Sequence, residues 1–135
     1  MPDPSQRRAD AQRRADMEAA AKQAEAAAAQ RQIDAFVADM ERRGVSPEPL
    51  QASLLNGRRV KSDQVGWYLN AAHTIAIGPG GQYFSLVVPG SASARWRGVS
   101  VPASPPPLVV ARGGRDGESG DLRDFLARAS AAYTL

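Results

Sequence analysis

Hydrophobic and polar positions follow two different rules in the two parts of this chain. Residues 5–43 contain no Gly and no Pro, and Ala, Gln, Arg and Glu dominate them, so the pattern predicts one long helix. Asp3 or Ser5 stands where a cap belongs, and Gly44, with Pro47 and Pro49 beyond it, supplies the stop. At 1.5 Å per residue the helix would run about 58 Å. A domain made from the remaining residues cannot cover that length, so part of the helix is expected to project. Ile33, Phe36, Val37 and Met40 recur at i, i+3, i+4 and i+7, which predicts docking of the last third. Upstream, residues 7–30 offer only Met17 and a run of alanines. Arg8, Gln12 and Asp16 cannot form an apolar heptad seam, so a strong coiled coil is not expected there.

From residue 44 onward, short β-forming runs alternate with Gly and Pro. His73–Ile77 and Gln82–Val88 flank Gly78-Pro79-Gly80-Gly81, and Pro79-Gly80 suits the centre of a type II turn. That turn would set Ile77 opposite Gln82 and Ile75 opposite Phe84. Ile75, Ile77, Phe84 and Leu86 would then share the core face, with His73 at the strand end as a structural side chain. Further strands are expected at Val65–Leu69, paired with one near Leu54 to Val60, at Ala94–Val101 and at Leu108–Ala111. Leu122, Phe125, Leu126 and Ala129 predict a last helix over about 121–132, capped by Ser119 or Asp121. The fold class is therefore α+β: a long, partly projecting helix over 1–43, then a small antiparallel sheet with a C-terminal helix over 44–135.

Composition narrows the chemistry. The 135 residues include no Cys and one His, which excludes a disulfide scaffold, a thiol enzyme and any Cys-based zinc site. The N-terminus mixes acids and bases without an apolar stretch, and the strongest apolar runs, Leu86–Val88 and Leu108–Val110, are far too short to cross a bilayer. These features predict a cytoplasmic protein without membrane association. Charge separates by region. Residues 1–43 carry eight basic and eight acidic side chains, whereas 44–135 carry nine and six, the whole of the net +3.

Two constellations are candidates for binding. Arg58, Arg59 and Lys61 cluster in sequence, and alternation along a strand at 94–101 would put Arg95 and Arg97 on one face. Guanidinium groups side by side on a sheet can bind phosphates or an acidic protein. A solvated basic face is the plainer expectation, because no aromatic platform shares it. The second constellation is Arg112, Arg115, Asp116, Glu118, Ser119 and Asp121 in a glycine-dense segment expected to run from a strand into a helix, the layout that cradles phosphate. Its acids stand where a phosphate would sit. Ion pairs of Arg112 and Arg115 with those acids, which would stiffen the loop, are favoured over a docking loop, a nucleotide site or a divalent cation.

Gly66-Trp67-Tyr68-Leu69, Ile75–Gly78 with Gly81-Gln82-Tyr83, Pro105–Val110 and the run Arg112–Leu122 together resemble a family of small actinobacterial proteins over residues 44–130. No activity is attached to that family, so the resemblance implies no catalytic residue. No metal or cofactor is implied. Ser119 has no neighbouring base, and a domain of this size encloses little, so an enzyme is not expected. The sequence points to a non-enzymatic accessory protein. Its N-terminal helix would engage a partner protein or a second copy, and nucleic-acid binding through the basic face is the alternative.

Overall fold

The computed structural model describes residues 3–90, 97–110 and 119–133. Helix α1 spans Pro4–Arg42. The carboxylate of Asp3 accepts from the Gln6 backbone N–H at 2.8 Å, and Pro4 costs nothing at the first helical position, where no carbonyl awaits its missing N–H. The other end closes in a Schellman motif. Gly44 takes φ +73°, its N–H donates to the Glu41 carbonyl, and that of Val45 donates to Met40 at 2.9 Å. Val45 is thereby turned back onto the core that Met40 enters.

The sheet has five strands in the order β4-β3-β2-β1-β5. They are β1, Glu48–Leu54; β2, Arg59–Tyr68; β3, Ile75–Ile77; β4, Tyr83–Ser85; and β5, Val87–Val88. All pairs are antiparallel except β1 with β5, which is parallel. A separate two-stranded ribbon pairs β6, Val109–Val110, with β7, Gly120–Asp121, and leads into helix α2, Leu122–Ala132.

Both faces of the sheet carry a core cluster, while β1 and the first part of β2 alternate buried with exposed side chains. On one, the predicted α1 stripe of Ile33, Phe36, Val37 and Met40 packs with Leu122, Phe125 and Leu126 of α2 against Trp67, Ile75, Ile77 and Tyr83. The Phe36 and Trp67 rings meet edge to face at 5.9 Å, and the Trp67 indole donates to the Val45 carbonyl. Arg43 ties α1 to α2 by donating to both the hydroxyl and the carbonyl of Ser130, at 2.8 and 3.0 Å. On the other face Leu50, Val60, Ala76, Phe84, Leu86 and Val101 form a second cluster.

The two-sided core follows from a register the sequence does not predict. Gly81, at φ +83°, takes the left-handed position after the turn 78–81, in which its N–H donates to the Gly78 carbonyl; Gly80 has no positive φ, so the turn is not type II. The loop gains a residue, and Ile77 pairs with Tyr83, Ala76 with Phe84 and Ile75 with Ser85. A one-residue change exchanges the faces of a strand. Phe84 and Leu86 therefore leave the face of Ile75 and Ile77 and join Ala76 on the opposite one.

Three further expectations are corrected. The stretch just after Leu54 is a turn, with Gly57 donating to the Leu54 carbonyl. The partner of β2 lies earlier, in a strand that runs through Pro49. The register shifts between Pro49 and Gln51, where the Ser62 hydroxyl donates to the Leu50 carbonyl. The expected strand at 94–101 is absent from its described part: Arg97 is helical, and only Val99 makes a bridge, to Ser62. Asp121 stands at the cap position of α2, yet its side chain makes no capping bond, and the Leu122 N–H donates instead to the Leu108 carbonyl.

Candidate functional site

The basic residues expected to act together are only partly assembled. Arg58 lies in the β1–β2 turn and Arg59 and Lys61 on β2, all exposed. Arg59 is committed locally: its guanidinium lies 3.1 Å from His73 Nδ1 and donates to the Ala72 carbonyl. The backbone just after Arg97 meets Lys61 by another route than strand alternation: Val99 donates to the Lys61 carbonyl at 2.8 Å and Gly98 packs on the Lys61 backbone. Asp63 stands beside them. The Val101 N–H it accepts holds its carboxyl below the ordinary range against the opposing effect of burial, with help from Ser100. Arg95 lies outside the described residues.

Most of the glycine-dense segment, residues 111–118, lies outside the described residues; of its flanks, β6 pairs antiparallel with β7, and α2 begins directly after β7. The first α2 amide, that of Leu122, already donates to the Leu108 carbonyl. Ser119 and Asp121 are exposed, and Arg112, Arg115, Asp116 and Glu118 lie outside the described residues. Among the described residues no group of three His, Asp or Glu could hold a metal ion, and no helix is long and apolar enough to cross a membrane.

A concave site lies elsewhere, between the β2–β3 loop and the last turns of α2. The cavity measures about 470 Å³. Tyr68, Leu69 and Phe125 form a buried apolar wall, and His73, Arg128 and Tyr133 line it as well. The loop holds His73 by its own chemistry. The Asn70 side chain accepts from the Thr74 N–H at 2.9 Å and donates to its hydroxyl, while His73 N–H donates to the Asn70 carbonyl. His73 closes the loop at φ +58°, the left-handed region, where it is alone among described non-glycine residues. Such a backbone costs of order 1 kcal/mol or more. The imidazole stacks on Tyr68 with ring centres 3.8 Å apart and planes 9° from parallel. This departs from the expected placement of His73 on a strand.

The electrostatics of this corner are defined. Burial first, then the Arg59 cation, push the His73 pKa below 6.5, against a smaller opposing effect of Glu48. The ring is therefore neutral at pH 7. A guanidinium can only donate, so Nδ1 accepts from Arg59 and the proton resides on Nε2. Tyr133 extends the sheet with its hydroxyl, which accepts from the Tyr68 N–H at 3.0 Å and donates to Glu48 at 2.8 Å. Burial and the bond to Glu48 raise its pKa, so the phenol stays protonated. Arg128 lies over the Phe125 ring, 4.7 Å from its centre.

The helical period assigns Phe125 to a core stripe and carries no signal for Arg128 or Tyr133. The spacing of Phe125, Arg128 and Ala132 along one helix was visible, but the loop that completes the cavity is joined to it only by folding. No family model, curated protein or solved structure matches the chain.

Proposed function

We propose that the protein is a non-enzymatic cytoplasmic interaction module whose folded part anchors α1 and presents the first half of that helix to a partner protein or a second copy. The supporting observation is the division of α1. Every side chain from 4 to 25 is exposed, apart from a half-buried Asp10, whereas Ala29, Ile33, Phe36, Val37 and Met40 are buried. Met17 is 71% exposed. About 30 Å of helix precedes the anchored part, and a solvated helix with one apolar side chain and many alanines gains stability chiefly when something packs on it.

The test is a comparison of the whole chain with a chain lacking residues 1–24. Sedimentation and capture from native lysate should show self-association or a partner with the whole chain and neither with the shortened one, at unchanged thermal midpoint. Equal behaviour of the two chains would refute the proposal.

A second reading rests on the docking of the Gly98–Val99 backbone on Lys61, which brings the chain at exposed Arg97 to the strand that carries exposed Arg59 and Lys61, a basic region that would take nucleic-acid phosphates. It predicts binding that weakens steeply with salt and is lost in Lys61→Ala/Arg97→Ala. Absence of DNA or RNA binding at low salt would remove it.

A further inference from the structure

We infer that the cavity between the β2–β3 loop and α2 is a binding site for a small planar aromatic carboxylate. Its volume, about 470 Å³, falls within the range of small-molecule sites, which pair apolar walls with a few polar groups that orient the ligand. Here the walls are Tyr68, Leu69 and Phe125, and the flat groups laid over two of them, the His73 imidazole on Tyr68 and the Arg128 guanidinium on Phe125, suit a planar body.

The polar groups are biased toward an anion. Arg128 is a permanent cation, and His73 presents Nε2–H as a donor because Arg59 occupies Nδ1. The nearby carboxylate, Glu48, already accepts the Tyr133 proton. Arg128 is the one permanently charged side chain among the residues that line the cavity, so a bound carboxylate would meet positive charge.

The backbone supplies a separate argument. Two hairpin loops of this sheet are built alike, closing between residues 70 and 74 and between 78 and 82, each with a left-handed residue before the returning strand. In the second loop that residue is Gly81, at φ +83°, which suffers no penalty. In the first it is His73 at φ +58°, and this is the loop that lines the cavity. A strained side chain is retained where an unstrained residue would close the turn, as happens where the side chain has work to do.

The probe is 2-naphthoate, with 2-naphthamide as its neutral counterpart, titrated into the whole chain and followed by backbone amide resonances. Saturable shifts are expected at residues 70–73 and 125–133. The amide should bind about tenfold or more weakly, the loss expected of one charge-assisted contact. Arg128→Gln, at an exposed position, should weaken naphthoate by a similar factor and leave naphthamide unchanged. Ala132→Trp, at the exposed rim, should block both. His73→Gly keeps the loop conformation and should weaken naphthoate more than naphthamide. Absence of saturable shifts in the millimolar range, equal binding of acid and amide, or undiminished naphthoate binding by Arg128→Gln would overturn the inference. If Ala132→Trp does not fold, Arg128→Gln decides.

Discussion

The two halves of α1 share one continuous helical backbone and differ in their apolar side chains and in what touches them. From Ile33 to Met40 the helix contributes a stripe to the main core and is fastened at Arg43 to Ser130 of α2. From Pro4 to Glu25 its described polar contacts are with its own turns, such as Gln12 to Asp16 and Arg13 to Asp10, until Glu25 accepts from the Leu108 N–H. Local propensity carries the helix through both halves, but only the second is held by tertiary packing. A continuous helix can thus be core at one end and presented surface at the other.

The largest expected contrast comes from apolar truncation. Ile33→Ala empties a fully buried position and should cost about 2–5 kcal/mol in chemical denaturation. Met17→Ala should stay within about 0.5 kcal/mol. Equal costs would mean that the first half is packed as well.

Hydrogen exchange should draw the same boundary, with amides around 10–22 exchanging by local fraying and those around 33–40 only on global unfolding. Uniform protection along α1 would erase the distinction.

A smaller effect is expected of Gln30, where the anchored half begins. Its amide donates to the Gly81 carbonyl at 2.8 Å, so Gln30→Ala should cost about 0.5–1.5 kcal/mol. An unchanged midpoint would move the start of anchoring further along the helix.

The last contrast is a dependence on acid. The hydrogen bond from Arg43, with help from Arg42, holds the Asp39 carboxyl below its ordinary 3.8, outweighing desolvation. A lowered folded-state pKa means the group contributes stability that is present above pH 3.8 and is lost as pH falls through the folded value. Stability curves below pH 3.8 should therefore be shallower for Asp39→Asn than for the parent chain. Identical acid limbs would show that the Asp39–Arg43 contact does not couple to unfolding.

Much of this architecture is legible in the residues, and the exceptions have specific causes. The span of α1 and its stripe are written in local composition, and α2 in the period of Leu122, Phe125 and Leu126. Strand β1 is hidden by Pro49, which reads as a stop signal until β2 accommodates it with a register shift. Phe84 is assigned to the wrong face because a turn with one more residue inverts every side chain after it. The cavity is invisible because its walls come from a loop and a helix more than fifty residues apart.

What the sequence determined by itself is what nearest neighbours decide: Asp3 and Gly44 bounding α1 through bonds within one turn, the apolar period that selects the buried stripe, and the exclusion of thiol and disulfide chemistry. Only the tertiary structure decided that both faces of the sheet carry a core cluster, that Tyr133 reaches across to Tyr68 and Glu48, and that Arg59 sets the tautomer of His73. The physical reason is range. Capping and periodicity act over three or four residues, whereas register and cavities depend on contacts that exist only once distant segments have met.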